Sequence, residues 1–118
     1  MENNCPTAHK APNPAPYYAV IFSSTLADDA EGYSAMAERM VELAREQEGF
    51  IDVESAARTS EGFGITVSYW RDLESIRKWK AQSEHAAAQR MGRDAFYKNY
   101  RLRIARVERE YGFERRGE

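Results

Sequence analysis

Gly62-Phe63-Gly64-Ile65-Thr66-Val67-Ser68-Tyr69-Trp70-Arg71-Asp72-Leu73-Glu74-Ser75-Ile76-Arg77-Lys78-Trp79-Lys80-Ala81-Gln82-Ser83-Glu84-His85 is the stretch whose reading decides the fold. Its first part alternates with period two, as a half-buried strand requires. Phe63, Ile65, Val67 and Tyr69 share one face, and Gly64, Thr66, Ser68 and Trp70 the other. After Arg71-Asp72 the apolar spacing becomes helical, with Leu73, Ile76 and Trp79 on one side. The Asp72 carboxylate is placed to cap the free N–H groups of that helix's first turn. Gln82-Ser83-Glu84 can end one helix and cap another. A break is therefore expected near Ser83, then a short helix from Glu84 to about Met91 and a turn from Arg93 to Tyr97.

Working back toward the N-terminus, Thr59-Ser60-Glu61-Gly62 reads as the turn of a hairpin. It is preceded by a strand from Phe50 or Ile51 to about Arg58. Before that, Tyr33, Met36, Ala37, Met40, Leu43 and Ala44 recur at three- and four-residue steps, one apolar stripe of a helix that Gly49 ends. Asp28 or Asp29 is the expected N-cap. Tyr17 to Ser24 is a β-rich run and opens the folded domain, taken as residues 17–114. Residues 1–16 carry Pro6, Pro12, Pro14 and Pro16 among small and polar residues, and read as a mobile arm.

Toward the C-terminus, Tyr100 to Phe113 is long for one strand. Tyr100, Leu102 and Ile104 share one parity, and Val107, Tyr111 and Phe113 the other. A β-bulge near Ala105 or Arg106 would put them on a single face. The order is β-α-β-β-α-β, the ferredoxin-like split βαβ arrangement of an α+β fold, an antiparallel sheet with helices on one face. The other face would carry Val, Thr and aromatic side chains, which two sheets pairing face to face would bury. A monomer with an amphipathic open face is the alternative.

Composition narrows the function classes. The chain has 118 residues, 42% of them hydrophobic, enough for one modest core. Charged residues make up 31% and net −2, with no basic patch interleaved with aromatics, so nucleic acid is not an expected partner. The longest apolar run is too short to span a bilayer, and the N-terminus has neither the basic nor the apolar region of a signal peptide. Cys5 is the single cysteine, so no internal disulfide forms. A cytoplasmic protein without membrane contact is expected. No Gly-rich phosphate loop, paired-Cys metal pattern or G-x-S-x-G elbow occurs. Of two histidines, His9 falls in the arm, which leaves His85 as the imidazole held by structure and rules out a multi-histidine metal centre in one subunit. Just after a helix break, the positive end of the helix would favour its neutral form.

A strand ending Tyr69-Trp70-Arg71-Asp72, followed by a helix with Trp79 and His85, resembles the antibiotic biosynthesis monooxygenase family of dimeric α+β barrels. The resemblance covers roughly Tyr17 to Phe113. It implies a homodimer in which the last strand reaches toward the partner. It also implies oxidation of an aromatic phenol or quinol by dioxygen without metal, flavin or other cofactor, the deprotonated substrate supplying the electrons. The implied base is His85, at the mouth of a cavity between sheet and second helix; a partly exposed His that only caps or packs is the other reading. Trp79 is either core or a cavity wall that stacks on a planar ring. If the parity of Ile65 and Val67 faces the helices, Tyr69 lines the cavity and Trp70 belongs to the dimer barrel. Tyr97 and Ser23 are further lining candidates, with Tyr17, Phe22 and Tyr100 behind them.

Haem-degrading relatives would need an Asn on the first strand and a His farther along the helix than His85. Ser23-Ser24 and Gln89 stand in those places. The alternative function is a non-catalytic dimeric module of stress response that binds a small molecule or haem.

Overall fold

A computed structural model describes residues 14–28, 30, 32–89 and 96–116, the side chains of 85–89 excepted. Six elements follow in the order β1 (Tyr17–Leu26), α1 (Tyr33–Arg45), β2 (Phe50–Ser55), β3 (Phe63–Trp70), α2 (Leu73–Gln89) and β4 (Tyr97–Val107). The strands form one antiparallel sheet in the order β2-β3-β1-β4, so the α+β, ferredoxin-like reading holds. Both helices pack on one face. Val20, Ala44, Trp70 and Ile76 form the core there, with Tyr18, Phe50, Trp79 and Leu102 packed against it.

Local chemistry explains the element ends. Ser75 donates its backbone N–H to the Asp72 carboxylate at 2.8 Å, the expected cap of α2. The Ser75 hydroxyl and that backbone bond hold the Asp72 carboxyl below its ordinary range. The Thr59–Gly62 turn closes as expected, with Gly62 at φ +89° and the Thr59 N–H donating to the Phe63 carbonyl at 2.9 Å. Met36, Leu43 and Ala44 of the α1 stripe are buried.

Five expectations are corrected. Helix α1 is not capped by an aspartate: Gly32 takes the cap position at φ +86° with no side-chain hydrogen bond, Asp28 is paired with Lys98 at 3.4 Å, and Asp29 lies outside the described residues. Helix α2 does not break at Ser83 but runs unbroken to Gln89; the Ser83 hydroxyl donates backward to the Lys80 carbonyl at 2.9 Å instead of capping a new helix. The segment from there to Arg93 lies outside the described residues. Strand β2 ends at Ser55 and leaves Arg58 on the following loop. Strand β4 begins at Tyr97 and ends at Val107, with Tyr111 and Phe113 beyond it and almost fully exposed. The bulge is not near Ala105: β1 and β4 stay in register from Tyr17↔Val107 to Thr25↔Asn99, and the irregularity falls where Leu26 meets Tyr97, making Lys98 the inserted residue.

Candidate functional site

Pairing fixes which side chains meet the helices. Val20 lies opposite Ser68 and Ile104, and Phe22 opposite Thr66 and Leu102. These residues, with Gly64, Trp70 and Tyr100 in the same parity, make the helix-facing side of the sheet. Along the middle of β3 that side is built from Gly64, Thr66 and Ser68, which are too small to fill the gap beneath α1. A cavity of about 240 Å³ results. Its floor is Val20, Phe22, Val53, Thr66, Ser68 and Leu102, and its walls are Tyr33, Met36, Ala37, Met40, Val41 and Ala44 of α1. Trp79, Lys80, Ser83 and Glu84 of α2 and Tyr97 and Tyr100 of β4 complete it. Most of this surface is apolar or aromatic, as pockets for small planar molecules are.

Each wall is held from behind. The Trp79 indole stacks tilted on Trp70 at 5.3 Å, and Trp70 is fully buried, with its N–H on Ser68 Oγ at 2.8 Å. Phe22, Tyr97 and Tyr100 form a mutual aromatic triangle, with centroids 5.5 to 5.6 Å apart. The Lys98 bulge makes that triangle. Without the inserted residue Tyr97 would have the parity opposite to Tyr100 and point away from the helices. Burial pushes the Tyr97 phenol up, and the neighbouring Tyr33 adds to it, so Tyr97 is a neutral donor in the physiological range. At the exposed rim, Lys80 and Glu84 are paired at 2.6 Å.

One end of the site is polar. Arg58 donates to the Tyr33 hydroxyl at 2.8 Å and lies 5.0 Å above the Tyr33 ring. Its other bonds go to Ser24 Oγ, the Ser24 carbonyl and the Gly62 carbonyl, at 2.8, 3.1 and 2.8 Å. A second, more polar groove of about 680 Å³ adjoins here, sharing Tyr33, Ala37, Val41, Val53 and Thr66 with the first.

Of the residues singled out in the sequence, Trp79 and Tyr97 line the cavity together, as do Phe22 and Tyr100. Tyr69 and Ser23 do not: the parity condition comes out the other way, and both sit on the sheet face away from the helices. Tyr69 donates to Glu54 there at 2.8 Å and meets the Tyr17 ring edge-on at 6.1 Å. Trp70 is core, not part of an outer barrel. His85 falls within α2, directly after the rim residue Glu84, and its side chain lies outside the described residues. The unbroken helix removes the helix-start argument for a neutral imidazole. Sequence reasoning passed over Tyr33 and Arg58. Tyr33 looked like one more member of the α1 stripe, and Arg58 like the end of a strand. Among the described residues no three His, Cys, Asp or Glu side chains converge as a metal site, and no helix is long and apolar enough to cross a membrane.

Residues 16–91 match the model of the antibiotic biosynthesis monooxygenase family. The chain belongs to that family. It is 49% identical over 105 residues to the uncharacterized protein YqjZ of Bacillus subtilis, covering 89% of this chain and 90% of that one. It is 33% identical over 61 residues to the jasmonate monooxygenase ABM of Pyricularia oryzae, a match spanning 51% of this chain and 28% of that longer protein. In fold, this family member is similar to SnoaB of Streptomyces nogalater, a cofactor-independent oxygenase. The structure of a SnoaB point mutant gives a TM-score of 0.64 at 17% identity, over 82% of this chain and 97% of that one. PA3566 of Pseudomonas aeruginosa gives 0.62 at 19% identity, with the same coverage. In this member of the family the cavity is walled as much by α1 as by α2.

Proposed function

We propose that this protein is a cofactor-independent monooxygenase acting on a small planar phenol, quinol or anthrone-like substrate. The observation that carries the reading is the aromatic cavity of about 240 Å³ beneath α1 and α2 in a member of this family. Trp79, Tyr97 and Tyr100 would sandwich a flat ring, and the apolar floor would exclude water. The chemistry asks little more of the protein. A methylene between two aromatic rings and O₂ give a ketone and water: both C–H bonds break, one oxygen atom becomes the carbonyl and the other leaves as water. The four electrons come from the substrate. The protein's task is to take the first proton and hold the resulting anion in a dry site, where it passes an electron to O₂.

His85 is the proposed base, as the one histidine that the sequence sets on α2, beside the rim residue Glu84. The test is oxygen uptake with a panel of anthrones and hydroquinones. The wild-type chain should consume one O₂ per anthrone converted, and His85→Ala should lose roughly 10²- to 10⁴-fold in rate, the usual cost of a positioned base. Uptake untouched by His85→Ala would move the base elsewhere. Binding without uptake across the panel would favour a non-catalytic binding module.

The face of the sheet away from the helices supports a homodimer. Phe63 and Ile65 are 43% and 45% exposed there, in the same parity as Ile21 and Val67. Asp52 and Glu54 of β2 stand on that face at one edge, and Arg101 and Arg103 of β4 at the other. A two-fold axis along the strands would set the acidic edge of one sheet over the basic edge of its partner.

A further inference from the structure

The hydrogen bonds of Arg58 go to neutral partners. Four of the five N–H hydrogens of its guanidinium are spent on neutral acceptors: Ser24 twice, Gly62 and Tyr33. Among the described residues no carboxylate stands within 4.0 Å of it. The fold reserves room for this side chain: a Cβ at Gly64 would come within 2.8 Å of Arg58 Cγ, at a buried position of β3. The architecture thus delivers a full positive charge to one end of the cavity wall, and that charge bears on the Tyr33 hydroxyl.

The Tyr33 oxygen accepts from Arg58, so its own hydrogen points elsewhere. The Tyr97 ring meets Tyr33 edge-on at 5.8 Å, so the two phenols stand side by side at this end of the wall. With the Tyr33 oxygen accepting from Arg58, the pair has O–H hydrogens to offer. Both tyrosines line the cavity. We propose that the Tyr33–Tyr97 pair, backed by Arg58, is an oxygen-binding subsite that donates one O–H to a carbonyl, enolate or phenolate oxygen on a planar ligand. The inference rests on the reading of the cavity as the ligand site, and adds which end of it the ligand's oxygen takes. It also gives the site a preference for oxygen that bears negative charge, because a donor backed by a guanidinium strengthens as its acceptor becomes an anion. Arg58 acts here through Tyr33 and is a positioning residue.

Two probes of one shape separate this role from general packing: 1-tetralone, which carries a carbonyl oxygen, and tetralin, which lacks it. Affinities are read by NMR titration, with the Trp79 indole N–H resonance reporting occupancy of the cavity. Wild-type protein should bind tetralone tighter than tetralin. In the double variant Tyr33→Phe/Tyr97→Phe that ratio should fall roughly five- to ten-fold, as for loss of one hydrogen bond, with tetralin affinity nearly unchanged. Arg58→Met should lower the ratio in the same direction. Should Arg58→Met fail to fold, the phenylalanine pair, which keeps the aromatic packing, still decides. If both probes move the Trp79 resonance and the ratio survives in the double variant, the subsite is overturned while the cavity stands. If neither probe moves it, the cavity is not the ligand site and the inference falls with it.

Discussion

Gly49 sits at φ +97° with no room for a side chain: a Cβ there would come 2.1 Å from Ser75 Oγ. Its carbonyl accepts the Arg71 N–H at 2.7 Å, which ties the loop after α1 to the start of α2. Gly49→Ala is therefore expected to cost roughly 1–3 kcal/mol from the left-handed backbone alone, with more from the clash, read as a lower urea midpoint at unchanged slope. An unchanged midpoint would show that Ser75 and the loop yield freely. Gly64 acts differently, since it leaves space for a charge and needs no special backbone. Gly64→Ala should displace Arg58 and lower the tetralone-to-tetralin ratio while the sheet stays intact; a mutant with the wild-type ratio would mean that Arg58 reaches Tyr33 by another path.

At the scale of elements, β4 matters most, because it closes one edge of the sheet and supplies two walls of the cavity. Truncation after Ile104 removes the pairs Tyr17↔Val107, Tyr18↔Arg106 and Ala19↔Ala105, together with Glu110, which accepts from the Tyr17 hydroxyl. The expected result is loss of cooperative unfolding, checked by circular dichroism on heating; a truncated chain with the full-length melting curve would show that the strand's end is dispensable. The outer face also carries a pH signature. The hydrogen bond to Glu110 raises the Tyr17 phenol to about 12, and burial followed by the Glu54 bond raises Tyr69 to about 12. Both groups hold their protons more tightly folded than unfolded, so this contribution is fully present below about pH 10 and is lost as pH rises toward 12. Alkaline unfolding should steepen in that window, and Tyr69→Phe should flatten it. A pH profile identical in the variant would mean that the Glu54 bond carries no weight.

For the whole molecule the decisive question is what covers the sheet. Helices occupy one face only, and Phe63, Ile65, Val67 and Tyr69 of β3 lie on the other. The proposed homodimer would bury them, and sedimentation equilibrium at micromolar concentration should then give twice the chain mass. In that dimer the acidic and basic edges would make the association salt-dependent, while Ile65→Lys, placing a charge at the apolar centre, should produce monomers at any salt. A wild-type chain that sediments as a monomer would refute the pairing and leave the outer face as a surface for some other partner.

Local patterns in the chain determined the element order, the Asp72 cap, the Thr59–Gly62 turn and the inward stripe of α1, because periods of two and 3.6 residues and capping chemistry are written within a few neighbouring positions. Trp79 and Tyr97 were also recognisable as aromatics suited to a cavity. The sequence was silent on which side of β3 meets the helices, since alternation marks two faces without saying what lies over each. The face with Ile65 and Tyr69 turned out to point away from the helices, and the one with Gly64, Thr66, Ser68 and Trp70 to run beneath them, its three small residues leaving the cavity. Tyr97 enters that cavity only through an inserted residue at Lys98, which no parity count locates, because a bulge is settled by the register of the paired strand. Arg58 and Tyr33 are 25 residues apart, on a loop and a helix. Only the closed sheet, with Gly64 leaving space for the arginine, brings guanidinium and phenol to 2.8 Å.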